Sequence, residues 1–338
     1  MHKHQATIKE IAQALEVSIS TVSRALQDDP RIGIRTRMRV KDLAEKLHYV
    51  PNLAAKFLRK HKTFTIGVLL PLLQEEFFSM AITGIEDALA DTGYNVIIAQ
   101  SRDQFLREEK VVRSFLNTRV DGVIASISAE TIDYQHFSTL KEFGIPMVFF
   151  DRVPKDFPAH KVRSNVEEGV RLVMEYLTKR GFSRIALLNG PASLEISQER
   201  FLGFKDALHK SGNAIDESLI KFTDFTKEDV ALKMEDLCFN NGRRPEAILA
   251  FNDYVALHAM KWCTQNGLKP NADIVFASFA NLPLTNYLEN PPVASIEQFA
   301  YQMGQHAAQL LLEILKNPDQ ETMEYREIML PTQLVIHS

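Results

Sequence analysis

The sequence predicts an all-α helix-turn-helix domain at the N-terminus and, after it, a larger α/β part made of two doubly wound parallel-sheet lobes. Three observations support this fold class. Residues 7–26 show the pattern of two short helices joined by a tight turn. Residues 36–47 add a third amphipathic helix, which would complete a small three-helix core. From Thr65 onward, short β-rich runs alternate with longer amphipathic segments, as is typical of βαβ units.

A capping signal marks the first helix. Thr7 and Glu10 have the spacing of a capping box, which predicts a helix that begins at Ile8. Residues 15–17 form the turn that follows. The predicted apolar face of this helix, at helical spacing, consists of Ile8, Ile11, Ala12 and Leu15.

The second helix is predicted over Ile19–Leu26, with Ser18 as its N-cap. A helix, a short turn and a second helix form the unit that places a recognition helix in the DNA major groove. A helical hairpin without a DNA-binding role shows the same pattern, so the pattern alone leaves both interpretations open. The inward face would carry Val22, Ala25 and Leu26, and the outward face Ile19, Ser20, Ser23 and Arg24.

Residues 7–70 resemble the N-terminus of the LacI/GalR (lactose-repressor) family of bacterial transcription regulators. The similarity covers TIKEIAQALEVSISTVSRALQDDP, the junction YVPN at residues 49–52 and the strand after it, and it extends more loosely to nearly the end of the chain. The resemblance implies a DNA-binding transcriptional regulator, a repressor or an activator, that acts as a homodimer on a pseudo-palindromic operator. It also implies a periplasmic-binding-protein-like domain that binds a small-molecule effector between two lobes.

By this resemblance, the base contacts would come from Ile19, Ser20 and Arg24. Arg24 can form a bidentate pair with guanine O6 and N7, Ser20 can donate or accept, and Ile19 suits a thymine methyl group. The small hydroxyl side chains nearby suit phosphate oxygens, which set the register of the protein on DNA. The full expected DNA-contacting set is Thr7, Ser18, Ile19, Ser20, Thr21, Ser23, Arg24, Asn52, Leu58 and Arg59.

Two further expectations concern the turn and the linker. The turn position of Glu16 usually holds Gly or Asn in the family, because it tends to need a left-handed backbone, so glutamate there costs some stability. Residues 53–60 would form a short hinge helix that orders when two copies meet on DNA. Leu58 would wedge between base pairs in the minor groove, with basic Arg59 beside it. The alternative is that the apolar residues of this segment dock the linker on the body.

The domain boundaries follow from these patterns. The expected domains are a helix-turn-helix domain over residues 1–50, a hinge helix and linker over 51–62, and an effector-binding and dimerisation domain over 63–338, with lobe one at about 63–162 and 293–324 and lobe two at about 163–290 and 325–338.

The effector is expected at the carboxyl ends of the strands, in the cleft between the lobes. At two positions where relatives commonly carry Asp, this chain has Ala280 and Asn165, while Arg152 and Arg200 are kept. This balance favours an acidic effector such as a uronate or a sugar phosphate, since arginine suits such groups, and a neutral sugar remains open. The expected effector-contacting residues are Phe77, Phe78, Asp151, Arg152, Arg200, Phe225, Asn252, Asp253 and Asn281.

Charge and motif content bound the function. Residues 1–62 contain 13 Lys and Arg against 6 Asp and Glu, a net charge of +7, whereas the remainder carries −11. A basic head on an acidic body fits a protein whose head alone contacts a polyanion. No catalytic motif such as GxGxxG, a P-loop, HExxH or GxSxG is present, so no enzyme activity and no cofactor are expected. His2 and His4 lack further ligands nearby, so no metal site is expected either.

The expected location is the cytoplasm. The segment MHKHQATIKE has no apolar core typical of a signal peptide, and no apolar run approaches the roughly 20 residues that cross a bilayer. Cys238 and Cys263 are read as reduced structural residues. The alternative function is a cytoplasmic sugar-binding protein of the same two-lobed fold without regulatory DNA binding.

Overall fold

The computed structural model describes residues 6–49, 62–240, 242–317 and 324–337, which fall into two compact units that divide after Thr63. Each unit has its own hydrophobic core. In the part of the chain so described, no helix is long and apolar enough to cross a membrane.

The first unit consists of three helices, α1 (Ile8–Ala14), α2 (Ile19–Leu26) and α3 (Ile34–Lys46). The capping box predicted at the start of α1 is confirmed, because Thr7 Oγ1 accepts from the Glu10 backbone and the Glu10 carboxylate accepts from Thr7 N. Glu16 has a φ of 57°, so the left-handed turn expected between the first two helices is present. The core of this unit consists of Ile11, Ala12, Val22, Ala25, Val40 and Ala44.

Lobe one of the second unit is a parallel sheet with helices on both faces. Its six strands have the order β11-β5-β4-β3-β1-β2. The strands are β1 (Thr65–Leu70), β2 (Asn95–Gln100), β3 (Gly122–Ala125), β4 (Met147–Phe150), β5 (His160–Ser164) and β11 (Glu327–Leu330). The helices are α4 (Glu76–Leu89), α5 (Phe105–Thr118), α6 (Gln135–Glu142) and α11 (Ala300–Lys316).

Lobe two repeats this architecture with one antiparallel edge strand. Its order is β12-β10-β9-β8-β6-β7, in which β12 runs antiparallel to β10. The strands are β6 (Ile185–Asn189), β7 (Ile220–Phe222), β8 (Ala247–Ala250), β9 (Val275–Ala280), β10 (Ala294–Glu297) and β12 (Gln333–Ile336). The helices are α7 (Val166–Lys179), α8 (Glu195–Lys210), α9 (Lys227–Glu235) and α10 (Asp253–Gln265).

The chain passes between the lobes near residues 165, 298 and 331. This differs from the expected division in two places. Strand β10 lies in the sheet of lobe two, although residues 293–324 were expected in lobe one, and β11 lies in the sheet of lobe one, although residues 325–338 were expected in lobe two. Strand β5 was not predicted at all. Strand β11 pairs with β5 and strand β12 with β10, and local pattern carries no information about these distant pairings.

Helices α4 and α11 approach each other closely through two glycines. A Cβ atom placed on Gly84 would lie 2.0 Å from the Tyr301 carbonyl oxygen, and one on Gly304 would lie 2.0 Å from the Ala81 carbonyl oxygen. Both obstacles are backbone atoms, which cannot rotate away as a side chain can. This contact fixes α4, whose first turn carries Phe77 and Phe78.

Gly84→Ala is expected to lower the free energy of unfolding by about 1–3 kcal/mol, because the new methyl group forces the two helices apart. The clash outweighs the roughly 1 kcal/mol by which alanine favours a helix interior over glycine. Chemical denaturation measures the change. Gly203→Ala is the matched control, since its Cβ would meet only Val170 side-chain atoms at 3.3 Å or more. Equal stability of the two variants would contradict the close-contact account.

Candidate functional site

The outer face of α2 is polar and accessible within the first unit. Val22 and Ala25 are fully buried, which turns Ile19, Ser20 and Arg24 outward. Ile19 is 46% exposed although it is a large apolar residue. An apolar side chain and a guanidinium exposed on one helix can contact a thymine methyl group and a guanine edge.

Hydroxyl groups at the start of α2 form a small network. Ser18 Oγ accepts from Thr21 N at 3.1 Å and lies 2.8 Å from both Ser20 Oγ and Thr21 Oγ1. Ser23 is partly exposed on the same helix. By contrast, no hydrogen bond holds the Arg24 guanidinium to any residue that the structure describes. The surface therefore offers ordered hydroxyls and, within residues 6–49, the exposed Arg24 guanidinium. Thr7 is engaged in the cap of α1, and Asn52, Leu58 and Arg59 lie outside the described residues.

The second candidate site is a cavity between the two lobes. Its volume is about 20 Å³, room for roughly one water molecule, so a sugar-sized molecule does not fit between the lobes in this arrangement. Six of the nine residues predicted from the sequence line it, namely Phe77, Phe78, Asp151, Arg152, Arg200 and Asn252. The remaining lining residues are Glu75, Ile196, Phe251, Ala280, Leu282 and Gln298.

Arg200 is the least satisfied cation in this cavity. The side chain is only 2% exposed, and its guanidinium carbon lies 4.0 Å from the ring centre of Phe251 and 4.1 Å from that of Phe279. Nη1 donates to the Phe251 carbonyl at 2.8 Å, but Nε is buried with no partner among the residues that the structure describes. Burial lowers the pKa of Arg200 to about 9 despite the nearby Asp151. A guanidinium held flat with unused donors is suited to an anion or a strong acceptor.

Arg152, in contrast, already has a carboxylate partner. Its Nη1 donates to Asp103 Oδ1 at 2.6 Å, and its guanidinium lies 5.2 Å from the ring centre of Phe225. Burial alone would lower the pKa of Arg152, but the carboxyl groups of Asp103, Glu75 and Asp151 together raise it. Phe225 thus reaches the site through Arg152 and through its contact with Phe251.

Two acidic side chains face the same space. Asp151 has a left-handed backbone with φ 57°, and burial raises its pKa against the influence of Arg152 and Arg200. Burial also raises the pKa of Glu75 to about 7, opposed by Arg152. Glu75 precedes α4 but makes no side-chain hydrogen bond as its N-cap. Its carboxyl group is therefore available to a bound molecule.

Asp253 and Asn281 do not line the cavity. Asp253 is fully buried and accepts from Ser278 Oγ, from Ser295 Oγ at 2.8 Å and from Leu282 N at 2.7 Å. These bonds tie α10 to β9, to β10 and to the segment that follows β9. Asn281 Nδ2 donates to Glu297 at 2.8 Å. Asn165, one of the two departures from the family pattern, caps α7. The other, Ala280, does line the cavity and has a φ of 94°.

Glu75→Gln is expected to stabilise the protein more at about pH 8 than at about pH 5. The folded-state pKa lies above the ordinary value of 4.5, so the folded protein holds this proton more tightly than the unfolded chain does. The carboxyl group therefore lowers stability progressively as pH rises from about 4.5 to about 7, and by a constant amount above that range. Denaturation at about pH 8 should show a gain of about 1–3 kcal/mol. Glu86→Gln, at an exposed position of α4, is the control, and a gain independent of pH would contradict this assignment.

Several lining residues were missed by sequence reasoning. Glu75 gave no signal in the sequence, and neither did Asp103, which lies behind the cavity as the partner of Arg152, because the role of each depends on burial and on the proximity of Arg152. Gln298 precedes α11 at a crossing between lobes, and its Nε2 donates to Ser164 Oγ at 2.9 Å. In the described ranges, no group of three or more His, Cys, Asp or Glu side chains is arranged to hold a metal ion.

Comparisons with protein families match nearly the whole chain. Residues 63–338 match the family described as periplasmic binding proteins and sugar binding domain of LacI family. Residues 7–52 match the family described as bacterial regulatory proteins, lacI family. The match over residues 7–52 falls within the first unit of the structure, and the match over residues 63–338 covers the second.

Individual relatives agree with these families. The HTH-type transcriptional repressor PurR of Vibrio atlanticus (strain LGP32) is 31% identical over 316 residues, 94% of each chain. The ribose operon repressor of Bacillus subtilis (strain 168) is 33% identical over 311 residues, 92% of each. Among solved structures, the lac repressor dimer bound to operator and the anti-inducer ONPF has a TM-score of 0.84 at 26% identity, covering 98% of both chains. A complex of the transcriptional regulator CelR with cellobiose has a TM-score of 0.72 at 26% identity, covering 98% of this chain and 99% of that one.

Proposed function

Because this chain belongs to the LacI family of bacterial regulatory proteins, and so is a transcriptional regulator with a DNA-binding domain and an effector-binding domain, we propose how its two sites are used. The protein is a repressor that binds a pseudo-palindromic operator as a homodimer in the cytoplasm, and a small molecule bound between the lobes sets its operator affinity. The observation that carries the effector half of this proposal is Arg200, buried in the cleft with donors unused.

The DNA half rests on the outer face of α2. Arg24 reads a guanine, Ser20 reads a neighbouring base edge, and Ile19 contacts a thymine methyl group. Ser18, Thr21 and Ser23 bind phosphates and set the register. A minor-groove wedge at Leu58, with Arg59 and Asn52 beside it, remains part of the proposal, although these three residues lie outside the described ranges.

The effector half rests on the charges around the cavity. Since Arg152 is paired with Asp103, Arg200 is the cation that remains for a ligand. Glu75, Asp151 and Asn252 offer acceptors and an amide, which suit hydroxyl groups, and Phe77, Phe78 and Phe251 offer apolar faces. The effector is accordingly a sugar or an acidic sugar derivative, with its carboxylate, phosphate or most polar oxygen on Arg200. The ribose operon repressor and the cellobiose complex among the relatives support a carbohydrate.

The homodimer is supported by an unpaired sheet edge. Strand β2 is the edge of the sheet in lobe one, and its Ile97 and Ile98 are 43% and 36% exposed. Apolar side chains on an open edge strand favour burial against another chain. The lac repressor structure similar to this chain is itself a dimer. Two-fold symmetry of the protein then matches two half-sites on the operator.

Operator selection tests the DNA half. Full-length protein is incubated with a random duplex library, with no small molecule added and again with a panel of sugars and sugar acids, and the bound duplexes are sequenced. The expected result is one enriched palindrome. The same selection with Arg24→Ala should lose preference at one position of each half-site. Absence of enrichment under every condition would contradict operator binding.

Calorimetric titration tests the effector half independently of DNA. Neutral sugars, uronates and sugar phosphates are titrated into the full-length protein, and every binder is repeated with Arg200→Met. The acidic compounds are expected to bind more tightly than their neutral counterparts. Tight binding of a neutral sugar with silent acidic analogues would contradict the acidic preference. Binding unchanged by the substitution would remove Arg200 from the site.

A further inference from the structure

Helix α8 carries two glutamates that reach across the cleft. Glu195 and Glu199 lie one helical turn apart in lobe two, beside Arg200. Lys155 of lobe one approaches Glu195, with its Nζ 3.7 Å from Oε2. Arg163 of lobe one, on β5, donates from Nη1 to Glu199 and from Nε to Glu327 of its own lobe. Both ion pairs with α8 therefore join one lobe to the other.

The two interlobe ion pairs are adjacent to the effector cavity, but their residues do not line it. Arg163, Glu195 and Glu199 line a separate pocket of about 10 Å³ together with Asp151 and Ile196, two residues that also line the effector cavity. The effector cavity itself has room for about one water molecule. A sugar-sized molecule can reach Arg200 only if the lobes separate, and separation breaks both ion pairs.

We propose that Lys155–Glu195 and Arg163–Glu199 form an interlobe latch that favours the closed cleft and makes access to the effector cavity depend on ionic strength. The latch goes beyond the proposed function, since it operates whatever the effector is. Glu327 assists by holding the Arg163 guanidinium in place from its own lobe. Arg163 is 22% exposed and Lys155 is 63% exposed, so mobile ions reach both pairs.

The size of the effect follows from this exposure. Each accessible ion pair contributes a factor of about 1.5 to 5 to an equilibrium constant. Two pairs acting on the same opening shift the closed-to-open ratio by about 2- to 25-fold. Salt weakens the latch, because the screening length falls from about 10 Å at 0.1 M to about 3 Å at 1 M. Hydrogen bonds between lobes, such as Ser193 Oγ to Ala129 O at 2.6 Å, are not screened in this way.

Thiol labelling can measure the opening directly. Ile196→Cys places a thiol at a cavity-lining position that is 7% exposed, and N-ethylmaleimide, a neutral reagent, reacts with it only when the lobes part. The native Cys238 and Cys263 are buried, and burial raises their pKa to about 11 and about 12, so they label slowly and report any general loosening. The full-length protein is used, without DNA or effector, and mass spectrometry follows each thiol.

The decisive comparison combines Ile196→Cys with Glu195→Gln and Glu199→Gln. The labelling rate is expected to rise about 2- to 25-fold at low salt, and the rise should shrink as sodium chloride increases, because salt releases the intact latch. Glu175→Gln is the matched control, since it removes a partner of Arg171 within lobe two only. In the Ile196→Cys protein with Glu199 retained, the paired substitutions Lys155→Glu and Glu195→Lys reverse one ion pair. Labelling in this variant should be as slow as with both native pairs.

Other outcomes overturn the latch. Labelling that is equally fast with and without the two glutamates, or that does not respond to salt in the otherwise unsubstituted protein, would mean that the ion pairs do not hold the cleft closed. Faster labelling that extends to Cys238 and Cys263 would indicate loosened folding and not lobe opening. A failure of effector titration would leave this labelling result unaffected, so the latch and the effector proposal are tested separately.

Discussion

Replacing Arg200 by methionine is expected to abolish effector binding while the folded protein remains as stable as before or becomes more stable. The methionine side chain can still fill the space between the rings of Phe251 and Phe279. The substitution removes a buried cation that has no carboxylate partner, and replacement of such a group by an apolar one is often neutral or stabilising. The free energy of effector binding should weaken by about 3 kcal/mol or more, because the proposed effector would accept two charge-assisted hydrogen bonds from the guanidinium, at about 1.5–3 kcal/mol each.

Arg200→Lys separates charge from shape. Lysine keeps the positive charge but loses the flat guanidinium that stacks between two rings and donates in parallel. We expect intermediate effector affinity and lower stability than for Arg200→Met, because the ammonium group is more strongly hydrated. Titration calorimetry and chemical denaturation measure the two quantities. A large loss of stability in Arg200→Met would show that the arginine is mainly a packing residue.

Arg24→Ala is expected to relax base preference at one position of each half-site, at a cost of about 1–3 kcal/mol per half-site. The guanidinium is exposed on α2 and unpaired among the described residues, so its removal leaves the three-helix core unchanged. The measurement is binding to the selected operator and to duplexes substituted at each position in turn. Only one symmetric pair of positions should lose discrimination.

Ser23→Ala provides the contrast for a phosphate contact. It should weaken binding to all duplexes by a similar factor, without changing base preference. If Arg24→Ala instead weakened every duplex equally and made the salt dependence of binding shallower, Arg24 would be assigned to a phosphate and the base assignment would be wrong.

The helix-turn-helix was predictable because its signals are local. A capping box at Thr7 and Glu10, an N-cap at Ser18 and apolar positions at helical spacing lie within twenty residues, and the observed α2 has the predicted limits of Ile19 and Leu26. The alternation of strands and helices was also predictable, since buried parallel strands are short apolar runs. Even the strained position at Glu16 could be anticipated.

Sheet membership near the C-terminus could not be read in the same way. Strand β11 pairs with β5, and β12 pairs with β10, so partners lie up to about 170 residues apart or follow a crossing between lobes. The segment HKVRS of β5 has a single apolar residue, Val162, so its sequence cannot be distinguished from that of a loop. Tertiary pairing, not local preference, decides these elements.

Sequence similarity predicted several residues that line the cavity, but it did not predict which charged side chains there pair with one another. Phe77, Phe78 and Arg200 follow from sequence similarity alone. Packing decides the other contacts, which the sequence does not show. Arg152 is paired with Asp103, and Glu75 faces the same cavity. Asp253 is hydrogen-bonded to Ser278 and Ser295. Of the two arginines expected to bind an acidic effector, only Arg200 therefore remains without a carboxylate partner among the described residues.

Control of DNA binding by a molecule in the cleft can be measured directly. The dissociation constant for the selected operator is determined by fluorescence anisotropy with and without each compound that binds in titration, for the unsubstituted protein and for Arg200→Met. We predict that at least one cleft ligand changes operator affinity by about 5- to 150-fold, and that Arg200→Met keeps operator binding but loses this response. Operator affinity unchanged by every compound that binds the cleft would contradict the account.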